Sequence, residues 1–502
     1  MIEQQSSLIL SPYIDLYEKL IDPDHPLRRI KELVDFSFID ELFKGAYCLD
    51  NGRNGVPPIR MFKYLLLKEF YSLADRDLVA RSKTDLAIKF FLDLAPEDDV
   101  IDPSLLSKFR KQRIKPIEEE MNEGKEEKEK GNLLTILIAK TVEIAEQHQI
   151  RMSSTVIVDS THSSSRYHSM TAGRFIKEKA KLVRKSVYQF DESMKEKFPQ
   201  KPKSDDGKEW CAYSKTLIET IEQEAKLEPI PAIQEKVNYL KEIVEDYQEG
   251  TVPSNDPDAR VGYKSQDQSF FGYKTHTAMT TDRLITAAIV TTGEKADGRY
   301  LQDLVNQTRA AGVEIDTVIG DTAYSGKDNL QFAKEEGKID LVSKLHPIIT
   351  QHPNAQKGFV FNKDADMFAC PAGHLAFKKK IDNRGQKENK NPQMKYFFDV
   401  EICQSCPMQE GCYKGTKTKT YSVTIKSPEH REQEHFQNSE VFQALARDRY
   451  MIEAKFGEMK NRHGFKKAKN SGLFGMSLQT AMTIFVVNLK RIMKLIDEKE
   501  QN

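Results

Sequence analysis

The sequence predicts a multidomain α/β protein, in which a mixed sheet with flanking helices is preceded by an all-α domain and interrupted by insertions. Its 502 residues exceed the size of one ordinary domain, and a hydrophobic content of 39% is enough for more than one core. Short helical patterns fill residues 12 to 114. Strand and helix patterns then alternate between residues 155 and 343, which indicates a sheet covered by helices.

The helical domain is predicted over residues 1–115. The run Asp102-Pro103-Ser104 supplies an N-cap with proline at the first helical position, and the helix it opens is expected to expose Lys108, Arg110 and Lys111. Such a basic helix suits the major groove of DNA, and we expect this domain to bind DNA unaided. A helical bundle whose basic face is only solvated fits the pattern equally well.

A charged stretch, residues 116–131, is predicted to link this domain to the sheet-containing core. The first part of the core is predicted over residues 132–345, with one strand ending at Asp159 and a later strand ending at Asp321. Residues from about 168 to 255 are highly charged and helical in pattern, and strand signals resume only after them. They are therefore interpreted as a helical insertion.

A second insertion is predicted over residues 346–436, and residues 437–502 are expected to return to the core as helices. The second insertion holds four of the six cysteines: Cys370, Cys403, Cys406 and Cys412. A Cys-x2-Cys pair with two further ligands can form a tetrahedral zinc site. Reduced structural thiols are the alternative, and the absence of a secretory signal argues against disulfides.

Charge and targeting signals narrow the class of protein. The formal net charge is zero, so binding of a polyanion would have to come from local basic clusters. The first residues lack a signal peptide, and the apolar run at residues 481–487 is too short to span a bilayer. We expect a cytoplasmic protein without a membrane segment.

Three carboxylates stand in settings that suit metal-dependent chemistry. Asp159 and Asp321 each end an apolar strand pattern, and Glu453 lies on a helical pattern. Two acids at strand ends with a third from a helix can hold two divalent ions about 3.5–4 Å apart, the arrangement used for in-line phosphoryl displacement. An aspartate that closes a strand is also common as a turn or cap residue.

The helix that carries Glu453 has two distinguishable faces. Arg449, Glu453 and Lys460 are four and seven residues apart, which places them along one face. An apolar stripe beside them would pack the helix on a core: Ile452, Phe456 and Met459. A solvated stripe of local ion pairs would show the same spacing.

These motifs resemble those of the DDE transposases of bacterial insertion sequences. The similarity rests on three segments: Asp159-Ser160-Thr161, Gly320-Asp321-Thr322-Ala323-Tyr324, and Arg449-x3-Glu453-x2-Phe456-Gly457-x2-Lys460 followed by His463-Gly464. The segment from Pro57 to Lys111 is similar to the helical domain that precedes the catalytic core in this family. The family often has tyrosine three residues before the arginine, where this chain has Ala446.

The resemblance implies an RNase H-like core and a transposase that binds terminal inverted repeats, cleaves DNA and transfers strands. It implies that Asp159, Asp321 and Glu453 ligate two Mg²⁺ or Mn²⁺ ions, and that Arg449 and Lys460 hold phosphates near the cut. The implied partners are double-stranded DNA, as repeat ends and as target, and a second copy of the chain in a homodimeric synaptic complex. The implied location is the cytoplasm, in association with the nucleoid.

Two other classes of protein share parts of this pattern. An RNase H-fold nuclease would keep the three acids but would not join strands. A domesticated DNA-binding protein would keep the basic helices without catalysis, and the intact acids argue against it.

Overall fold

A computed structural model describes residues 11–47, 55–124, 131–168, 170–227, 229–248, 255–264, 268–346, 349, 358–382 and 392–501. The described residues before 125 form helices and turns. The helices are Asp15–Leu20, Pro26–Leu33, Ser37–Phe43, Pro58–Phe70, Asp75–Ser82, Leu86–Phe91, Pro103–Phe109 and Lys115–Met121, the last two joined by a π-helical turn at Arg110–Ile114. The Asp102 carboxylate accepts a hydrogen bond from the Ser104 backbone N–H at 2.8 Å, so the N-cap predicted there is present.

The central sheet has six strands: β1 Thr155–Ser164, β2 Arg260–Tyr263, β3 Ser269–Thr280, β4 Ile285–Thr292, β5 Thr317–Ile319 and β6 Asp340–Val342. Their order is β2-β3-β1-β5-β6, and β4 pairs with β3. β1 runs antiparallel to β3 and parallel to β5, and β5 runs parallel to β6. The predicted α/β class with a mixed sheet is confirmed.

Helices cover the sheet and follow the predicted alternation with the strands. They are Leu133–Gln147, Leu301–Ala310, Lys327–Phe332, Pro428–Phe436, Glu440–Leu445, Tyr450–Arg462 and Gly472–Glu500. Three short 3₁₀ turns lie next to these elements. Asp297–Tyr300 follows β4, Thr322–Tyr324 follows β5, and Ala446–Arg449 precedes the helix Tyr450–Arg462.

The N-terminal helices share one hydrophobic core with the C-terminal helix Gly472–Glu500. Phe62 and Phe485 are both fully buried, and their ring centroids lie 6.1 Å apart. Arg29 donates to both carboxylate oxygens of Asp497, at 3.0 and 2.6 Å, on the same interface. The N-terminal helices are therefore packed against the C-terminal end of the chain, with no separate core of their own among the described residues.

The helix Gly472–Glu500 is also the one described helix that is long and apolar enough to cross a membrane. In its most apolar window, 78% of the residues are buried inside the protein. The helix is therefore apolar because it lies in the protein core.

The first predicted insertion forms a small helical module. Its helices are Ala172–Phe190, Met194–Lys197, Gly207–Glu222 and Pro231–Gln248, and they enclose their own core around the buried Trp210. Asp256, fully buried, fixes the base of the module: it accepts hydrogen bonds from the Ser165 hydroxyl at 2.5 Å and the Gly472 backbone N–H at 3.0 Å.

The cysteine-containing region forms small sheets: β7 Val360–Asn362 pairs with β8 Met367–Ala369, and β10 Gln393–Phe398 lies between β9 Lys378–Asp382 and β11 Lys419–Thr424. A short helix, Val400–Gln404, follows β10. The helix Pro428–Phe436, within the predicted range 346–436, packs on the central sheet instead. Its Gln433 side chain donates to the Leu341 and Ser343 carbonyls, at 2.8 Å each.

Candidate catalytic site

The parallel pairing of β1 with β5 brings two aspartates to the same level of the sheet. The prediction that the first strand ends at Asp159 is wrong, because the residues after it still pair with β3 and β1 continues to Ser164. Asp159 therefore lies in the middle of its strand, whereas Asp321 follows the end of β5. The parallel register pairs Val156 with Val318 and Ile157 with Ile319. Asp159 and Asp321 each lie two residues beyond the last pair, on strands about 4.8 Å apart. The structure therefore places these two predicted acids side by side.

Asp159 is a mostly buried carboxylate, with 14% of its side chain exposed. It accepts hydrogen bonds from the Ser160 backbone N–H at 2.8 Å and from the Arg449 guanidinium at 3.1 Å. Burial raises the pKa of Asp159 to about 6, and the charge of Asp321 acts in the same direction. The Ser160 and Arg449 donors oppose this rise without cancelling it.

Asp321 combines a structural and an electrostatic role. One carboxylate oxygen accepts the Ala323 backbone N–H at 2.9 Å and so caps the 3₁₀ turn Thr322–Tyr324. The interpretation as a cap residue therefore holds for that oxygen. Burial also raises the pKa of Asp321, and the charge of Asp297 adds to the rise. A capping aspartate elsewhere on a surface would not show this effect.

The third acid, Glu453, approaches from the helix Tyr450–Arg462. Its side chain is 62% exposed, and one oxygen lies 3.7 Å from the Arg449 guanidinium. The predicted apolar stripe is confirmed, since Ile452, Phe456 and Met459 are 0%, 7% and 0% exposed. This packing holds the helix so that Arg449 stands between Asp159 and Glu453.

The site thus gathers carboxylates around a single guanidinium. Arg449 supplies positive charge beside Asp159 and Asp321, whose burial disfavours ionisation, and the charge of Asp321 adds to this effect at Asp159. No three His, Cys, Asp or Glu side chains stand at metal-binding distances within the described ranges. The oxygen donors and the raised pKa values of the two aspartates nonetheless suit a hard divalent cation, which would relieve the repulsion between them.

Sequence reasoning missed a fourth acid at this end of the sheet. Asp297 lies 3.0 Å from the Lys274 ammonium and 3.4 Å from Nδ1 of His276. Burial lowers the pKa of His276 to about 4. Lys274 and His276 are two residues apart on a predicted strand, and this spacing could have shown that both lie on one face of the sheet. Nothing in the sequence pattern around Asp297 indicates that it lies near Asp321.

Lys460 lies in a different environment from Arg449. It is half-buried, and burial lowers its pKa, with Lys264 and Lys466 adding to the effect. The pKa of His162, near the end of β1, is lowered to about 4 by burial and by the positive charges of Lys460, Lys264 and Lys274. Lys460 is therefore part of a convergent basic cluster that also includes Lys264, which the sequence pattern did not indicate.

On the N-terminal basic helix, Lys108 and Lys111 are exposed as predicted. The prediction that Arg110 is exposed is wrong: it is 9% exposed and holds both oxygens of Asp75, at 3.2 and 2.5 Å. Helix geometry explains the difference, because residues two apart point to opposite sides of a helix. Arg110 therefore faces the interior when Lys108 faces solvent.

The four cysteines of the second insertion converge on one cavity of 710 Å³: Cys370, Cys403, Cys406 and Cys412. Burial raises the pKa of Cys403, and the other three thiols add to the rise. Cys370 and Cys403 are more than thirty residues apart in sequence, and the fold brings them to the same cavity, as a four-cysteine zinc site requires. Their sulfur atoms are not arranged at metal-ligand spacing in the described structure.

Two family models match this chain. Residues 15–112 match one described as a transposase domain (DUF772), and residues 369–493 match one described as a transposase DDE domain. No curated protein matches the chain at a significant level. The fold, the clustered acids and these matches define a transposase.

The two matches indicate a DDE transposase of an insertion sequence. The second match includes Glu453 and the four cysteines, and neither match includes Asp159 or Asp321. Asp159 and Asp321 are therefore placed in the candidate site by the strand register and by their burial.

Proposed function

We propose that this transposase binds the terminal inverted repeats of its element, cleaves DNA beside them and joins the freed 3′-hydroxyl to target DNA. The observation that carries the proposal is the parallel register of β1 and β5, which sets Asp159 level with Asp321. The strand order, with the antiparallel strands β2, β3 and β4 on one side of β1 and the parallel strands β5 and β6 on the other, supports an RNase H-like core.

Asp159, Asp321 and Glu453 would hold two Mg²⁺ or Mn²⁺ ions. When bound, such ions activate the attacking water or 3′-hydroxyl and stabilise the leaving oxygen. The protein's own contribution is to hold three carboxylates on a rigid sheet and a packed helix. Arg449 is placed to neutralise phosphate charge beside them, because a guanidinium can donate two parallel hydrogen bonds to an anion.

DNA contacts outside the acids are assigned to exposed or unpaired cations. Lys460 would hold a phosphate as part of the basic cluster with Lys264 and Lys466. Lys108 and Lys111 remain candidates on the N-terminal basic helix. Arg110 is not assigned a DNA contact, because its guanidinium forms an ion pair with Asp75.

We further propose that the cysteines bind one structural Zn²⁺. Four thiols from separate segments converge on one cavity, which is the donor set of a closed tetrahedral site. The partners proposed for the whole protein are repeat and target DNA and a second copy in a homodimeric synaptic complex. The proposed location is the cytoplasm, at the nucleoid.

The test is a joining assay with the full-length protein, Mg²⁺, a duplex carrying the repeat end of the element, and a target plasmid. We expect covalent joining of the repeat 3′-end to the plasmid. Cleavage without any joined product would instead favour a nuclease that uses the same acids. Binding without cleavage would favour a non-catalytic DNA-binding protein.

A further inference from the structure

Charge is unevenly distributed within the helical insertion. The helix Ala172–Phe190 carries six basic residues and one acidic residue. The other two long helices, Gly207–Glu222 and Pro231–Gln248, together carry four basic and seven acidic residues. Because the formal net charge of the protein is zero, the excess on one helix is a local feature.

Three of the basic residues form a stripe along the exposed side of this helix: Arg174, Lys181 and Lys185. They are seven and four residues apart, so at 3.6 residues per turn they lie within about 40° of one another. The stripe extends for about 16 Å at 1.5 Å per residue. Hereafter these three residues are called the insertion stripe.

Among the residues that the structure describes, no acidic group lies within 4.0 Å of the three cations of the insertion stripe, although the charge of Arg174 still acts on Asp205. The remaining three are engaged within the insertion: Lys177 by Asp205, Lys179 by Asn255 and Arg184 by Tyr213. The stripe cations are therefore available to an external anion.

The same charges act against the helix itself. Lys177, Lys181 and Lys185 repeat at four-residue intervals, and like charges at this spacing repel across one turn. The first turn contains no acid and the last turn contains no base, so neither end of the helix is stabilised by a charge that complements its dipole. A bound polyanion would offset the repulsion between the lysines.

The base of the insertion is fixed beside the strand that carries Asp159. Ser165 directly follows β1, and its hydroxyl donates to the buried Asp256 at 2.5 Å. Asp256 also accepts the Gly472 backbone N–H at 3.0 Å, which joins this point to the start of the C-terminal helix. The stripe helix therefore departs from a rigid point at the end of the catalytic strand.

We propose that the insertion stripe binds the sugar-phosphate backbone of duplex DNA that extends away from the catalytic site. The inference rests on the proposed function, because it needs DNA at the site around Asp159. A B-form duplex carries about one phosphate charge per 1.7 Å of axis when both strands are counted, so a duplex along the stripe has about nine phosphates over this length, about half of them on each strand. The contacts are independent of base sequence, since lysine and arginine side chains would meet only phosphates.

The test uses the full-length protein with a random-sequence duplex of about 40 bp, titrated at several salt concentrations. The stripe variant combines Arg174→Gln, Lys181→Gln and Lys185→Gln. The control combines Lys201→Gln, Lys215→Gln and Lys226→Gln, three exposed lysines of the same module outside the stripe. Both variants lose the same formal charge.

We expect the slope of log K against log salt to become shallower by about 2–3 in the stripe variant, at about 0.9 for each lost phosphate contact, and by less than about 1 in the control. We also expect the melting temperature of the stripe variant to be no lower than that of the wild type, because like-charge repulsion has been removed. An unchanged melting temperature shows that weaker DNA binding comes from lost phosphate contacts and not from unfolding of the insertion. Equal slopes for the two variants would overturn the proposal, and the stripe would then serve a partner other than DNA. If the two variants give equal slopes while the wild type cleaves repeat DNA, the proposed function still stands. A wild type that binds neither the random-sequence duplex nor repeat DNA would overturn both the stripe proposal and the proposed function.

Discussion

Asp159 keeps a negative charge where its surroundings disfavour one. In an unfolded chain an aspartate has a pKa of about 3.9. Burial raises the pKa of Asp159 to about 6 in the folded protein. The folded state therefore prefers the protonated form, so the ionised carboxylate lowers stability above about pH 6 and has no such effect below about pH 4.

This difference gives a signed prediction for Asp159→Asn in metal-free buffer. The variant should be more stable than the wild type at pH 8, by an amount on the order of 2 kcal/mol, because it removes a charge that the fold disfavours. The advantage should shrink as the pH falls through 6 and vanish near 4. Thermal melts across this range check it, with the exposed Asp340→Asn as control. A variant that is less stable at pH 8 would show that Arg449 outweighs the burial of Asp159.

At the scale of elements, the strand and helix order was predictable where the hydrophobic period was regular. β3, β4 and the helix Leu301–Ala310 lie between residues 155 and 343, where the sequence predicts alternating strands and helices. Asp159 and Asp321 were found because each directly follows an apolar run, and the parallel pairing of β1 with β5 sets the two runs in register. The orientation of Arg110 was predicted wrongly because its closeness to Lys108 and Lys111 in sequence was taken to mean that all three share one face of the helix.

Other features of the site depend on tertiary contacts that no local pattern encodes. Lys264, Lys460 and Lys466 come from a hairpin, a helix and a loop, and only the folded chain brings Lys264 and Lys466 close to Lys460. Asp297 likewise reaches Asp321 through the packing of two 3₁₀ turns. Such convergences cannot be read from spacing in a single sequence.

The cysteine region provides a prediction at the scale of an element. If Cys370, Cys403, Cys406 and Cys412 ligate zinc, freshly purified protein should contain about one zinc per chain, because metal binding supplies folding free energy to a small domain. Cys403→Ser should lower the zinc content and increase proteolysis within this region. Isolated Cys211 is the matched control, and Cys211→Ser should leave the zinc content unchanged. Zinc-free wild-type protein, purified without chelators, would support reduced thiols instead.

At the scale of the whole molecule, the first and last helices form one cooperative unit. The N-terminal helices pack on the helix Gly472–Glu500, and Phe62 contacts Phe485 in the shared core. This packing argues against the expectation that residues 1–115 bind DNA unaided, since an isolated fragment would expose that apolar surface to water.

We therefore predict that Phe485→Ala destabilises the N-terminal helices although the substitution lies near the other end of the chain. The loss should be about 3–5 kcal/mol, typical for a buried phenylalanine truncated to alanine. Hydrogen exchange of the helix Pro58–Phe70 measures it, with the exposed Phe190→Ala as control. Unchanged protection of that helix would mean that the N-terminal helices fold independently.

The central claim is that Asp159, Asp321 and Glu453 act as one metal-binding catalytic site. The most direct test is the rate of Mg²⁺-dependent cleavage of repeat-end DNA by Asp321→Asn, compared with Asp340→Asn on the neighbouring strand β6. We predict that Asp321→Asn loses at least about a hundredfold in rate while it still binds the DNA, because metal ligation and phosphate contact are separate tasks. Cleavage by Asp321→Asn at the rate of Asp340→Asn would contradict the assignment.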